Sequence, residues 1–316
     1  MPEPWTKLVG LGAVDAEAPP VSRGEAIRAL MQDHSARFGA WTVLLVIVAA
    51  AAAPLVAAVV GHGPTEQFRQ EALDASGIPV GPSFGFWLGA DGEGRDVLVR
   101  TLYGAQISLL VGIPATTLAM VIGTVVGLTS GFMGGAFDRV TGQVIDVVLS
   151  FPFVVTALSL LALNRGGDGR PVISPVLVVI AIISAFSWTF FARLSRGMAV
   201  ALRSQPFVDA AVTLAAGRRY ILFREILPNV VPVIAVYWAV QLPTNIVAEA
   251  TLSFLGVGIQ APTPSLGNMI ADAQRTSIYQ VQPWYLLGPA VALFVVVLGF
   301  NTFSSGLRNV LDPGKR

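Results

Sequence analysis

Residues 207–228 read FVDAAVTLAAGRRYILFREILP, and this stretch decides how the rest of the chain is understood. It is polar and arginine-rich, and it is wedged between two long apolar runs. Pro206 sits where a first-turn proline is tolerated, Ser204 is placed to cap, and Asp209 lies where a carboxylate favours a helix N-terminus. Ala210, Ala211, Ala215 and Ala216 favour helix, Gly217 breaks the run, and a second helical stretch is expected over 218–226, ending at Pro228. The pattern is helix, turn, helix, lying along a membrane surface. Small side chains on a short helix permit close approach by another protein. A bare connector that packs under the bundle is the alternative, but connectors in compact domains seldom need so many residues.

The composition fits a membrane protein. Hydrophobic residues make up 54% of the chain, charged residues 12%, and the mean hydropathy is +0.69. A soluble domain carries about 25% charged residues. A net charge of +1 argues against a nucleic-acid partner. With no cysteine and only His34 and His62, far apart, thiolate chemistry is excluded and a zinc site is disfavoured. No P-loop pattern occurs, and the only lysines are Lys7 and Lys315, so this chain binds no nucleotide cofactor by that route.

Six apolar spans are long enough to cross a bilayer: about 40–60, 104–132, 140–163, 172–192, 230–254 and 284–303. The expected organisation is a cytoplasmic segment 1–39, a first transmembrane helix 40–60, an extracytoplasmic segment 61–103, a core 104–305 of five helices with the loop 193–229, and a tail 306–316. No apolar core of signal-peptide type precedes the first span. Orientation follows the basic residues. Lys7, Arg23, Arg28, Arg37, Arg139, Arg193, Arg196, Arg203, Arg218, Arg219, Arg224, Arg308, Lys315 and Arg316 fall on the side of the N-terminus; Arg69, Arg95, Arg100, Arg165, Arg170 and Arg275 fall opposite. Both termini and the 193–229 loop are therefore expected in the cytoplasm.

Before the first span, Ile27, Leu30, Met31, His34 and Phe38 share one helical face. This is either an interfacial helix on the inner leaflet or a protruding first turn of the span. Two carboxylates lie inside spans. Glu249 either lines a pathway or is a structural staple, paired with an arginine or held by loop backbone. Asp146 is expected to pair with Arg139 or with an arginine of 193–203 rather than to relay protons. Asp91, Glu93, Arg95 and Asp96, among Gly89, Gly92 and Gly94, read as a water-facing, salt-bridged cap. It either turns the chain into the second span or meets a soluble partner. Gly256, Gly258, Pro262 and Pro264 shape a fold-back loop after the fifth span, as a gate or as a cap. Gly112, Ala115, Ala119, Gly123, Gly127 and Gly131 suit close helix packing, which is expected to serve a dimer interface.

The 207–228 stretch resembles the EAA motif of ABC importer permeases, with Asp209, Ala210 and Ala211 at the Glu-Ala-Ala positions and Ile226, Leu227 and Pro228 at the distal ones. Ala215 stands where that motif has glycine, so Gly217 is expected to supply the turn instead. WLGADGEGRDVLVRTLYGAQISLL (87–110), AEATLSFLGVGIQAPTPSLGNM (248–269) and GLRNVLDP (306–313) are similar to segments of the dipeptide, oligopeptide and nickel permeases, C-type subunit. The resemblance implies an all-α membrane protein of the type I importer permease fold, with six transmembrane helices and a cytoplasmic coupling helix in a bacterial inner membrane. It implies docking of two ATP-binding subunits at Asp209, Ala210, Ala211, Ala215 and Gly217. It also implies a homologous B-type permease as partner, an extracytoplasmic binding protein, and di- or oligopeptides as substrate, with nickel or another small solute as the alternative. ATP and Mg would be used by the partners, and this chain would be no enzyme. From the residues alone, an ion-driven secondary transporter and a membrane scaffold are the competing classes. No internal repeat supports the first, and the spans broken by Pro114, Pro152, Pro232 and Pro243 suit movement better than scaffolding.

Overall fold

The computed structural model describes residues 32–166, 171–275 and 277–311, and for residues 310–311 the backbone alone. In chain order the helices are α1 (His34–Ala51), α2 (Ala53–Val60), α3 (Arg69–Ala72), α4 (Val97–Met133), α5 (Gly135–Ser150), α6 (Phe153–Leu163), α7 (Pro175–Leu202), α8 (Pro206–Thr213), α9 (Arg218–Tyr220), α10 (Leu227–Phe254), α11 (Leu266–Arg275) and α12 (Trp284–Leu311). Among the described residues the extended pairing is confined to isolated bridges. Among the described residues five helices are long and apolar enough to cross a membrane, and up to six spans result if the bent pair α5–α6 is one of them.

The span expected over 140–163, broken at Pro152, is two helices, α5 and α6. The chain turns by 80° between α5 and α6. Pro152 lacks an N–H and its ring pushes the preceding residue out of the helical region, so Phe151 is extended at φ −79°, ψ 130°. Pro228 acts differently. The helix passes through it, because a π turn over Ile221–Ile226 shifts the bonding, with Leu227 N–H reaching the Leu222 carbonyl. At the start of the described chain, Asp33 caps α1 by accepting from Ala36 N–H at 2.8 Å. His34 and Phe38 therefore belong to the spanning helix itself, whereas Ile27, Leu30 and Met31 lie outside the described residues.

The centre of the bundle is the pairing of α4 with α7. Glycines 123, 127 and 131, one helical turn apart, let the two backbones touch. A Cβ on them would fall 2.3 Å from the Trp188 carbonyl oxygen, 2.3 Å from that of Ala192 and 2.5 Å from that of Arg196. The small-residue stripe is thus used inside this chain rather than left for a partner. Polar side chains close the same interface. Asn245 Nδ2 donates to Thr116 Oγ1 at 2.9 Å, and Ser187 Oγ donates to Asn245 Oδ1 at 2.9 Å, joining α4, α7 and α10. Gly127→Leu is expected to force α4 and α7 apart and to cost about 3 kcal/mol or more, beyond ordinary overpacking because the obstacle is backbone. Loss of monodisperse protein on size-exclusion chromatography would register it.

A second backbone contact seats α1 on α12. A Cβ on Gly39 would lie 2.2 Å from Phe303 N, and one on Gly306 would lie 2.4 Å from Ala36 Cα. After α10 the chain folds back through Gly256, at φ +76°, into α11. Gly267 there abuts the Ala250 carbonyl, 2.0 Å from where its Cβ would stand.

Candidate functional site

The loop after α7 is built as helix, turn, helix. α8 begins with Pro206 at its first turn, its N-cap is Gln205 rather than Ser204, and Asp209 lies in the first turn. Ser204 instead donates its hydroxyl back to the Ala201 carbonyl. α8 ends in a Schellman motif: Ala216 N–H bonds the Ala211 carbonyl at 3.0 Å and Ala215 N–H bonds that of Val212 at 2.9 Å. The left-handed residue this motif needs is Ala215, at φ +56°. Gly217 is extended, at φ −67° and ψ 150°, and serves as N-cap of α9. The expectation that Gly217 makes the bend is therefore overturned: the bend stays at 215 although its residue has a Cβ. A left-handed L-residue is strained by about 1–2 kcal/mol, and glycine removes the clash at some entropic cost. Ala215→Gly is expected to raise stability by up to about 1 kcal/mol, read as a higher melting temperature with transport retained.

The two faces of α8 differ. Val208 and Ala211 are buried against Ile221, Leu222 and Ile226 in the same hydrophobic cluster as α4 and α7 residues. Ala211, only 8% exposed, packs mostly into the bundle and shows just an edge at the notch beside α8, so little of it is left for the partner expected there. Asp209, Ala210, Ala215 and Gly217 are exposed. Phe207, Val212, Leu214 and Tyr220 are exposed apolar side chains around them. Between α8 and the following helix lies a notch of about 320 Å³ lined by Phe207, Ala210, Ala211, Leu214, Ala216, Tyr220 and Glu225.

Glu249 is wholly buried near the end of α10. Its Oε1 accepts hydroxyl hydrogen bonds from Ser253 at 2.8 Å and Ser265 at 2.9 Å, and its Oε2 accepts one from Ser108 at 3.0 Å. The carboxylate thereby ties α10 to α4 and to the fold-back loop. Ser265 also accepts from Gly267 N–H, which begins α11, and Asn268 Nδ2 donates to the Ile259 and Thr263 carbonyls. The partners are side-chain hydroxyls, neither an arginine nor loop backbone.

Asp146 is not a buried group. Its side chain is 71% exposed, and it pairs with Arg193 Nη2 at 2.7 Å, so the arginine comes from the 193–203 segment and not from Arg139. Sequence reasoning missed a second pair. Asp138 accepts from both Arg196, at 2.7 Å to Nη2, and the Ser130 hydroxyl at 2.7 Å. α5 thus leans on α7 through two aspartate–arginine pairs, with only Thr141 and Ile145 buried along its length.

Residues 123–316 match the family of binding-protein-dependent transport system inner membrane components. The chain belongs to this family. Over 312 residues it is 36% identical to the glutathione transport system permease protein GsiD of Escherichia coli O6:K15:H31 (strain 536 / UPEC), covering 98% of this chain and 97% of the relative. It is 36% identical to that protein of Escherichia coli O157:H7 and 35% to that of Shigella dysenteriae serotype 1 (strain Sd197), with the same coverage. A solved structure of the MetNI methionine ABC transporter, in inward-facing conformations, matches with a TM-score of 0.51 at 19% identity, over 68% of this chain and 96% of that one. The chain is therefore a multi-pass inner-membrane permease component with the ABC importer permease fold, and not a catalytic subunit.

The cap of this permease before α4 is salt-bridged, but it is not water-facing. Asp91, Arg95, Asp96 and Arg100 are all buried. Asp91 Oδ2 faces Arg95 Nε at 2.6 Å and Arg100 Nε at 3.3 Å, while its Oδ1 accepts from the N–H groups of Glu93 and Arg95. Asp96 caps α4 by accepting from Val99 N–H, and its other oxygen meets His62 Nδ1 at 2.8 Å. Arg100 Nη1 donates to the Pro64 and Pro262 carbonyls, tying the 61–96 segment to the fold-back loop. Ion pairing and backbone groups compensate much of the loss of water here, although Arg100 Nη2 is buried without a hydrogen-bond partner. Burial holds the Asp272 carboxyl of α11 above the usual carboxylate range, against the pull of Arg95, Arg100 and Arg275. The geometry is that of a helix-capping turn, with Glu93 alone among the four acidic and basic residues of 91–96 left open to solvent.

Proposed function

We propose that this permease is the C-type half of an ATP-driven importer of di- or oligopeptides, and that α8 is its coupling helix. The observation that carries the substrate class is the end-to-end similarity to a glutathione transport permease, glutathione being a peptide. The coupling role rests on α8: one face fused to the core, the other presenting Phe207, Leu214 and Tyr220 around small Ala210. In this reading two ATP-binding subunits close on ATP and Mg and pull on α8. A homologous B-type permease completes the pathway, and a binding protein delivers peptide from outside. The π turn and α10 carry the movement directly to Glu249, which acts as a staple holding α10 to the fold-back loop. Such motion is alternating access driven in trans. The uneven distribution of basic residues supports a cytoplasmic position for both termini and α8.

The test is uptake of labelled di- to hexapeptides and of nickel by the reconstituted complex of both permeases, the ATPases and the binding protein. Peptide uptake that requires ATP is expected. Nickel uptake without peptide uptake would reassign the substrate. Protease cleavage at residue 210 from the outer side of intact cells would overturn the orientation.

A further inference from the structure

We propose that residues 77–90 form an apolar apron that inserts into the lipid interface beside the first turn of α12. The segment reads GIPVGPSFGFWLGA and carries no charge. Phe84 at its tip is fully exposed, Trp87 is 59% exposed, and Ile78 is open at the other end. The tip is a formed turn, with Ser83 N–H bonded to the Phe86 carbonyl and Phe86 N–H to the Ser83 hydroxyl. Phe86 anchors it from below by stacking on His62, ring centres 4.7 Å apart.

Its position relative to α12 is fixed by contact. A Cβ on Gly81 would meet Gln282 Oε1 at 2.8 Å, and one on Gly288 would lie 3.6 Å from Leu88 Cδ1. Leu88 packs in the cluster of Val97, Met269 and Tyr285. The turn therefore lies against the start of a helix that is long and apolar enough to span a membrane. On that helix Trp284, Leu287, Val291 and Phe294 are exposed, at spacings of three, four and three that place them on one face. Val281, just before it, is exposed too. Residues 277–307 hold no charged side chain. The turn carrying Phe84 and Trp87 is thus held at the N-terminal end of α12, the end at which the exposed apolar face of that helix begins. That end lies in the headgroup region, where aromatic side chains gather.

The charges of the same connecting segment are sorted away from the apron. Glu66, Arg69, Glu71 and Asp74 are exposed and all precede residue 77. The exposed Glu93 follows residue 90, so the flanks on both sides of 77–90 are suited to water and 77–90 itself to lipid. A soluble protein partner would be met by a patch with polar groups at its rim, whereas this one adjoins the bilayer-level stripe. The apron would fix the buried Asp91, Arg95 and Arg100 cap to the membrane surface. The inference rests on α12 crossing the bilayer and not on which face is cytoplasmic.

The experiment uses the assembled transporter in lipid nanodiscs, without binding protein. The cysteine-free chain accepts single probes, and Phe84→Cys, Val281→Cys, Ser76→Cys and Val291→Cys would each carry an environment-sensitive fluorophore. Probes at 84 and 281 are expected to be quenched by lipids bearing a nitroxide near the headgroup, and to lose quenching by aqueous iodide relative to the exposed position 76. The probe at 291 reports the span itself, so lipid quenching there without any at 84 would sink the apron while leaving the membrane-spanning reading intact. Equal iodide quenching at 84 and 76 overturns the proposal. So does protection of 84 from iodide without nitroxide quenching, which would assign the patch to the second permease, and so does protection that arises only when binding protein is added.

Discussion

Ala210→Arg is expected to leave the permease folded and inserted but to abolish transport, whereas Ala211→Arg is expected to prevent folded protein from accumulating at all. The two alanines are neighbours on α8 with opposite surroundings. Ala210 lines the open notch with Phe207, Leu214 and Tyr220, so an arginine there keeps its guanidinium in water and fills the space a docking partner needs. Ala211 packs against Ile221 and Leu222 inside the chain. An arginine there must either bury an unpaired charge, at a cost of several kcal/mol, or pull α8 off the bundle. The measurement is co-purification of the ATPase subunits with each variant, together with the yield of monodisperse complex. Because the chain has no cysteine, Val212→Cys, at an exposed position, gives a background-free crosslink to an ATPase subunit. Wild-type transport by Ala210→Arg together with no crosslink from 212 would remove α8 as the docking element.

That contrast also marks what a sequence can reveal. Helix α8 was legible because its signals are local: a proline at the first turn, an acid beside it, a run of alanines. Which alanine faces the bundle was not, since it depends on where Ile221 and Leu222 return through the π turn. The bend at Ala215 was hidden for a related reason. Glycine is the ordinary left-handed residue, so Gly217 drew the turn, but the Schellman bonds from 215 and 216 fix the bend one turn after Ala211 regardless of the side chain. The cap before α4 shows the same limit. Asp96 is a local capping signal and was readable; Asp91, Arg95 and Arg100 look like solvent-facing charges until the chain brings them together and burial becomes affordable through pairing. α11 escaped notice because ten residues between two spans carry too short a pattern. Pro152, by contrast, marked the break between α5 and α6, though not its 80° angle.

Glu249→Leu is expected to destabilise the permease by about 3 kcal/mol or more, since three hydroxyl groups lose their shared acceptor and a buried unsatisfied group costs about 1–3 kcal/mol. Ser108, Ser253 and Ser265 come from α4, α10 and the fold-back loop, and each donates its hydroxyl to this one carboxylate. Ser253 can recover by donating to backbone one turn earlier, as other serines in these helices do. Ser265 and Ser108 sit across tertiary contacts and recover less readily. The loss would appear as a lowered melting temperature and as exposure of the 255–265 loop to protease. Glu249→Gln separates the two readings of this residue. Its amide oxygen can still accept from Ser253 and Ser265, and its NH₂ can donate to Ser108 Oγ, whose hydroxyl hydrogen then turns away. A staple survives that exchange, because geometry and satisfied hydrogen bonds are what it supplies. Glu249→Gln is therefore expected to retain most of the stability and most of the transport. A glutamine variant that folds, assembles with the ATPases and carries no substrate would instead show that the negative charge itself works in the pathway, exposed to substrate in a conformation other than this one.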